Sequence, residues 1–210
     1  MKKILLCLLI LLAISAYSQQ KLGFVVGTGY SMFTNGFAKQ INGSDGLSYH
    51  FGAVYELPLN AKITFRPKLL YSQQGNRTPK KISLASILDG YEESDAAKSH
   101  KLDYVTLPLD FKFWRNIYII AGPQIGFLIK QENYSYLPPK IDKKTDLGLH
   151  LGTGFTVNNF FAELSAYQGL NTLFIYKESG LINTKEVRNA TLQLSVGYTF
   201  RVRKDVVFED

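Results

Sequence analysis

The residues able to do chemistry are few. The chain carries one cysteine, three histidines, 17 Asp and Glu, and 24 Lys and Arg. Cys7 lies inside an N-terminal apolar run, and neither H-E-x-x-H, paired cysteines nor an EF-hand loop occurs. No metal centre or cofactor is therefore expected. Gly27-Thr-Gly29 and Gly152-Thr-Gly154 resemble fragments of phosphate loops, but neither opens a helix, so both read as strand glycines. The one catalytic reading is a rim-acting, lipid-modifying enzyme using Ser99, His100 and Asp103. Ser99 and His100 are adjacent, however, and adjacent residues on a strand point to opposite faces, so a second hydroxyl would have to come from elsewhere. No enzyme is expected. His50 and His150 are expected as hydrogen-bonded interior residues. What remains is a set of opposite charges on the polar faces of strands, Glu56, Asp110, Asp146 and Glu163 against Arg66, Lys68, Lys112, Lys130 and Arg201.

The elements that position these charges read in twos. Val105, Leu107, Leu109, Phe111 and Phe113 alternate with Tyr104, Thr106, Pro108, Asp110 and Lys112. Leu192, Leu194, Val196, Tyr198 and Phe200 alternate with Thr191, Gln193, Ser195, Gly197 and Thr199. Such alternation marks a strand with one apolar and one polar face. Eight segments qualify: Leu22–Met32, Leu47–Leu57, Lys62–Gln73, Lys101–Trp114, Ile117–Lys130, Thr145–Val157, Phe160–Gln168 and Arg188–Val202. A helix is suggested only at Ile82–Leu88, within a loop. The connections alternate in length. Pro58–Ala61, Arg115–Asn116 and Asn158–Asn159 are tight, while Phe33–Gly46, Gln74–His100, Gln131–Lys144 and Gly169–Val187 are long. Short turns at one rim and long loops at the other are the pattern of an eight-stranded antiparallel up-and-down transmembrane β-barrel, whose short turns face the periplasm.

Alternation alone does not say which face points inward. Gly23, Gly27, Gly29, Gly52, Gly122, Gly126, Gly148, Gly152, Gly154 and Gly197 all fall on the polar parity. A solvated sheet face has no use for so many, whereas the narrow inside of an eight-stranded barrel does. The polar face is therefore assigned to the lumen, as a packed polar plug in which Glu56, Arg66, Lys68, Asp110, Lys112, Asp146, Glu163 and Arg201 form a structural charge cluster, since unpaired buried charge is costly. Tyr30, Tyr49, Tyr55, Tyr71, Phe113, Tyr198 and Phe200 lie on the apolar parity, as an interfacial girdle requires. Pro67, Pro108 and Pro123 lack ladder donors inside three successive strands, so each implies a bulge, with reversed parity beyond it, or an unpaired neighbour.

The N-terminus reads as an address. Lys2 and Lys3, the apolar run Ile4–Ile14 and Ser15-Ala16-Tyr17-Ser18 form a signal peptide over residues 1–18, with the barrel domain over 19–210. The remaining basic excess is mild and dispersed, which argues against nucleic acid and weakly for an anionic surface. Phe200 or Phe208 suits a terminal insertion signal.

Tyr104-Val-Thr-Leu-Pro-Leu-Asp-Phe-Lys112 resembles the Y-x-x-(I/L)-P-(L/I)-x-x-K segment of the PorT-like outer-membrane β-barrel proteins of Bacteroidota. Tyr118–Pro123, Asp146–Gly154, Glu163–Leu170 and Leu194–Phe200 match in the same order. The resemblance implies a Gram-negative outer-membrane location and fixes no activity. The expected role is structural or interaction-based, through the long loops or through docking to envelope machinery, with a narrow pore for ions or small solutes as a further alternative. The expected partners are outer-membrane lipid, lipopolysaccharide and an envelope protein, for a chain that is itself monomeric.

Overall fold

A computed structural model describes residues 20–35, 40–76, 100–133, 144–177 and 184–202. It is all strand: β1 Lys21–Asn35, β2 Gln40–Pro58, β3 Ile63–Asn76, β4 His100–Phe113, β5 Ile117–Asn133, β6 Thr145–Val157, β7 Phe160–Gly169, β8 Phe174–Lys177 and β9 Thr184–Arg201. Each strand pairs antiparallel with its neighbours in the order β1-β2-β3-β4-β5-β6-β7-β9, and β9 returns to β1 from Lys21↔Arg201 to Asn35↔Val187. The result is a closed eight-stranded barrel. The short β8 pairs with β9 alone and adds a hairpin at the long-loop end. The signal-peptide segment, the suggested helix at Ile82–Leu88 and Phe208 lie outside the described residues.

The in–out assignment follows the alternation. Leu192, Leu194 and Val196 are 47%, 54% and 53% exposed, whereas the intervening Gln193 and Ser195 are each 5% exposed. A soluble barrel inverts this pattern, so the exposed apolar band is the one built to meet lipid. The girdle aromatics stand outward and pack across neighbouring strands. Tyr198 stacks on Phe24 at 6.0 Å and takes the edge of Phe160 at 4.9 Å, and Phe51 lies 5.2 Å from Tyr71.

Three details correct or sharpen the reading of the sequence. First, the strands run further at the long-loop end. β2, β5 and β9 have 19, 17 and 18 residues, where about 9–11 cross a bilayer. The first connection shrinks to residues 36–39. Past the bilayer there is no lipid to impose an apolar outer face, so alternation fades although the ladders continue.

Second, of the two outcomes expected at the prolines the unpaired neighbour is the one realised, so parity does not reverse beyond them. β3 and β4 keep one register from Ile63↔Phe113 to Asn76↔His100, and Arg66 and Lys68 are both buried on either side of Pro67. The ladders instead lapse for two residue pairs beside each proline, on the side of the preceding strand. Pro67 does so against β2, Pro108 against β3 and Pro123 against β4. The unpaired neighbours line up as a diagonal seam across β2–β5. The register shift between β4 and β5 falls elsewhere, between Asp103 and Tyr104, and Lys130, beyond it, is exposed rather than luminal.

Third, the interior is not polar throughout. Phe33, Leu102, Tyr104, Leu173 and Val187 form a buried apolar cluster, and Val25, Val54, Leu70 and Phe161 form another. The first gathers residues from the long-loop ends of β1, β4 and β9, where the tall strands close on themselves as a water-exposed sheet would.

A closed lipid-facing barrel resists detergent until heated. Unboiled protein is expected to migrate differently from boiled protein on a denaturing gel, and a single heat-independent band counts against closure.

Candidate functional site

The densest chemistry lies inside the barrel, nearer its short-turn end. Arg66 on β3 is fully buried, with Nε 3.1 Å from Glu56 Oε1 on β2. Its Nη1 donates to Glu163 Oε1 on β7 and to the Tyr118 hydroxyl of β5, the latter at 3.3 Å. Its guanidinium lies 4.2 Å from the centroid of the Phe161 ring, an arrangement that adds cation–π attraction where water is excluded. Lys68, two residues along the same face, reaches Glu163 Oε2 at 2.8 Å and Asp110 Oδ2 at 3.3 Å. Lys112 on β4 reaches Glu56 Oε1 at 3.3 Å and Thr156 Oγ1 at 3.4 Å, with its ammonium 4.1 Å from the centre of the Tyr118 ring. The far side of Asp110 meets His150 Nδ1 on β6 at 2.8 Å.

Three cations and three carboxylates thus close into one network contributed by β2, β3, β4 and β7, with Tyr118 of β5 and His150 of β6 as polar links. Each charge of the network has an opposite charge within 3.3 Å. Such pairing offsets part of the cost of burying ions, while Arg66 Nη2 finds no hydrogen-bond partner among the described residues.

Glycine makes the reach across strands possible. In register, Gly154 of β6 stands between Tyr118 of β5 and Glu163 of β7. A Cβ there would lie 2.7 Å from the Tyr118 hydroxyl. The tyrosine therefore lies over a residue without a side chain and donates to Glu163 Oε1 at 3.1 Å. Gly27 does the same higher in the barrel. It stands between His50 and Ser195, and the imidazole crosses it to place Nε2 2.8 Å from Ser195 Oγ. Space at these two positions is what lets luminal side chains bond to the strand beyond their nearest neighbour.

Two residues expected in the cluster stand apart. Asp146 is buried but sits towards the long-loop end, accepting from Asn189 Nδ2 at 3.3 Å, while the same amide donates to Gln74. Arg201 ends β9 opposite Lys21 and is exposed at the mouth. Parity assigns both to the luminal face; only height along the barrel separates them from the network. Tyr118 was not among the expected members, although its place on the same parity as Gly122 and Gly126 is the signal that marks it. Both interior histidines are hydrogen-bonded, as expected of core residues. Of the triad reading, Asp103 is buried, while Ser99 and the His100 side chain lie outside the described residues.

The arrangement fills and neutralises the lumen. Among the described residues it offers charge pairing.

A family model described as outer membrane protein beta-barrel domain matches residues 17–175. Among solved structures, the chain is 12% identical to Neisserial surface protein A (NspA), covering 85% of this chain and 97% of that one at a TM-score of 0.50. It is also 16% identical to Ail, the attachment invasion locus protein of Yersinia pestis, over 87% of this chain and 99% of that one, at a TM-score of 0.47. No curated protein matches it in sequence. The likeness to NspA bears on the fold alone.

Proposed function

Because the chain belongs to the outer membrane protein beta-barrel domain family, we propose that it works as an interaction barrel of the Gram-negative outer membrane, exported by the signal peptide of residues 1–18. It acts through the strands and loops standing beyond the bilayer or by docking to envelope machinery, and not through catalysis. The five ordered segments from Tyr104 to Phe200 support a place in the PorT-like branch found in Bacteroidota. The observation that carries this reading is the filled lumen. A neutral six-charge network occupies one part and the Phe33 cluster another, so among the described residues the surfaces that favour engagement are the external ones.

Crosslinking in intact envelopes, with photoreactive residues placed at positions 77–99, is expected to trap a reproducible protein partner. Reactive lysates containing only lipid adducts overturn the protein-docking part of the reading. The filled interior also argues against a pore. Planar-bilayer recordings are expected to show no discrete conductance steps, and regular steps of one size would establish the pore instead. An unchanged lipid A profile in a deletion strain is the corresponding expectation against the lipid-modifying enzyme.

A further inference from the structure

The outer wall is not uniformly bulky. A groove of about 810 Å³ runs across β5, β6, β7, β9 and β1, within the range of about 300–1,000 Å³ typical of ligand sites. Its origin is visible in the register. One row runs Ala121–Leu151–Ala166–Leu192, and the next row towards the long-loop end runs Pro123–Leu149–Gln168–Ala190–Met32. Ala121, Pro123, Ala166 and Ala190 leave the wall low where the flanking leucines keep it high. The long-loop end of the groove is polar. Gln168 Nε2 donates to Thr34 Oγ1 at 3.2 Å, and Arg188 stands in register with Thr34 on the outward parity of β9. One Arg188 amino group pairs with Glu186 at 3.2 Å, while its Nε is buried and finds no hydrogen-bond partner among the described residues.

We propose that this groove holds one phosphorylated acyl lipid of the outer leaflet, with a hydrocarbon chain over the alanines and the phosphate at Arg188. The inference rests on the outer-membrane placement proposed above, with the long-loop end outward. An apolar slot open to the bilayer selects a chain rather than a soluble ligand. A guanidinium at its outer end, with about a quarter of its side chain exposed, selects an anion at headgroup height, because guanidinium is suited to bidentate recognition of phosphate.

Native mass spectrometry of the full-length, detergent-folded protein with purified lipid A as the probe tests the proposal. One retained lipid A per barrel is expected. Ala166→Trp, which raises the floor, and Arg188→Gln, which removes the charge at the rim, are each expected to lower retention about tenfold, equivalent to about 1.4 kcal/mol. Leu69→Trp, on the diametrically opposite wall, leaves retention unchanged. Dimyristoylglycerol, which lacks phosphate, is not retained, and inorganic phosphate does not displace lipid A. Equal retention by the three variants, retention of dimyristoylglycerol at the lipid A level, displacement by inorganic phosphate, or a dimer abolished by Ala166→Trp each overturns the proposal. Arg188→Gln keeps the test open if the tryptophan variant does not fold. Heat-dependent gel migration and surface labelling of residues 77–99 on intact cells report separately on the placement itself, so failure of that reading is distinguishable from failure of the lipid site.

Discussion

Glu163→Gln is expected to lower the folding stability of the barrel by about 3–5 kcal/mol, the cost of breaking a buried pair from one side. Glu163 is 1% exposed and, among the described residues, is the one carboxylate that meets both Arg66 and Lys68. The amide keeps the volume and removes the charge, leaving three cations facing Glu56 and Asp110. Neither Arg66 nor Lys68 can turn to water, since both are buried. Urea titration of the protein folded in lipid vesicles, read by the heat-dependent gel shift, measures the loss. The double variant Glu163→Gln with Lys68→Met rebalances the charges and is expected to recover part of it. A Glu163→Gln midpoint matching that of the unaltered protein shows that the network contributes little.

Gly154→Val is expected to be at least as damaging, by about 3 kcal/mol or more, through overpacking of about 1–3 kcal/mol and the loss of hydrogen bonds worth about 1 kcal/mol each. A Cβ at this position falls 2.5 Å from the Ala162 carbonyl oxygen and 2.7 Å from the Tyr118 ring. The carbonyl belongs to the wall and cannot withdraw, and the tyrosine can withdraw only by abandoning Glu163 and Arg66. Gly126→Ala supplies the comparison. There the nearest atom to the new Cβ is a Tyr104 ring carbon at 3.3 Å, and a change below about 1 kcal/mol is expected. Equal urea midpoints for the two variants would remove the special role assigned to Gly154.

The barrel and its inside–outside assignment were legible because lipid imposes a strict period of two, and because glycine on the polar parity distinguishes a crowded lumen from a wet surface. Height was not legible. Parity treats Glu56, Asp146 and Arg201 alike, yet one joins the network, one lies with Asn189, and one ends at the mouth. Nor were the strand ends, since beyond the bilayer the residues of β2 before Leu47 have no lipid to read against. Tyr118 is not legible as a member of the network because a tyrosine on a luminal face becomes polar machinery only when a glycine on the next strand gives it room. The prolines were recognised as donors missing from the ladders. Whether a strand answers with an inserted residue or with unmade pairs depends on its two neighbours, and that information is not local.

The proline seam makes the cylinder unequal around its circumference. From Pro67 through Pro108 to Pro123 the rungs between β2 and β5 are interrupted, whereas β1 and β9 meet without a break from Lys21↔Arg201 to Asn35↔Val187. A tube with one compliant meridian and a stiff seam roughly across from it does not squeeze evenly. Lateral pressure flattens it towards an ellipse that bends along the prolines, and the join made when the chain's two ends meet is the part least able to reopen.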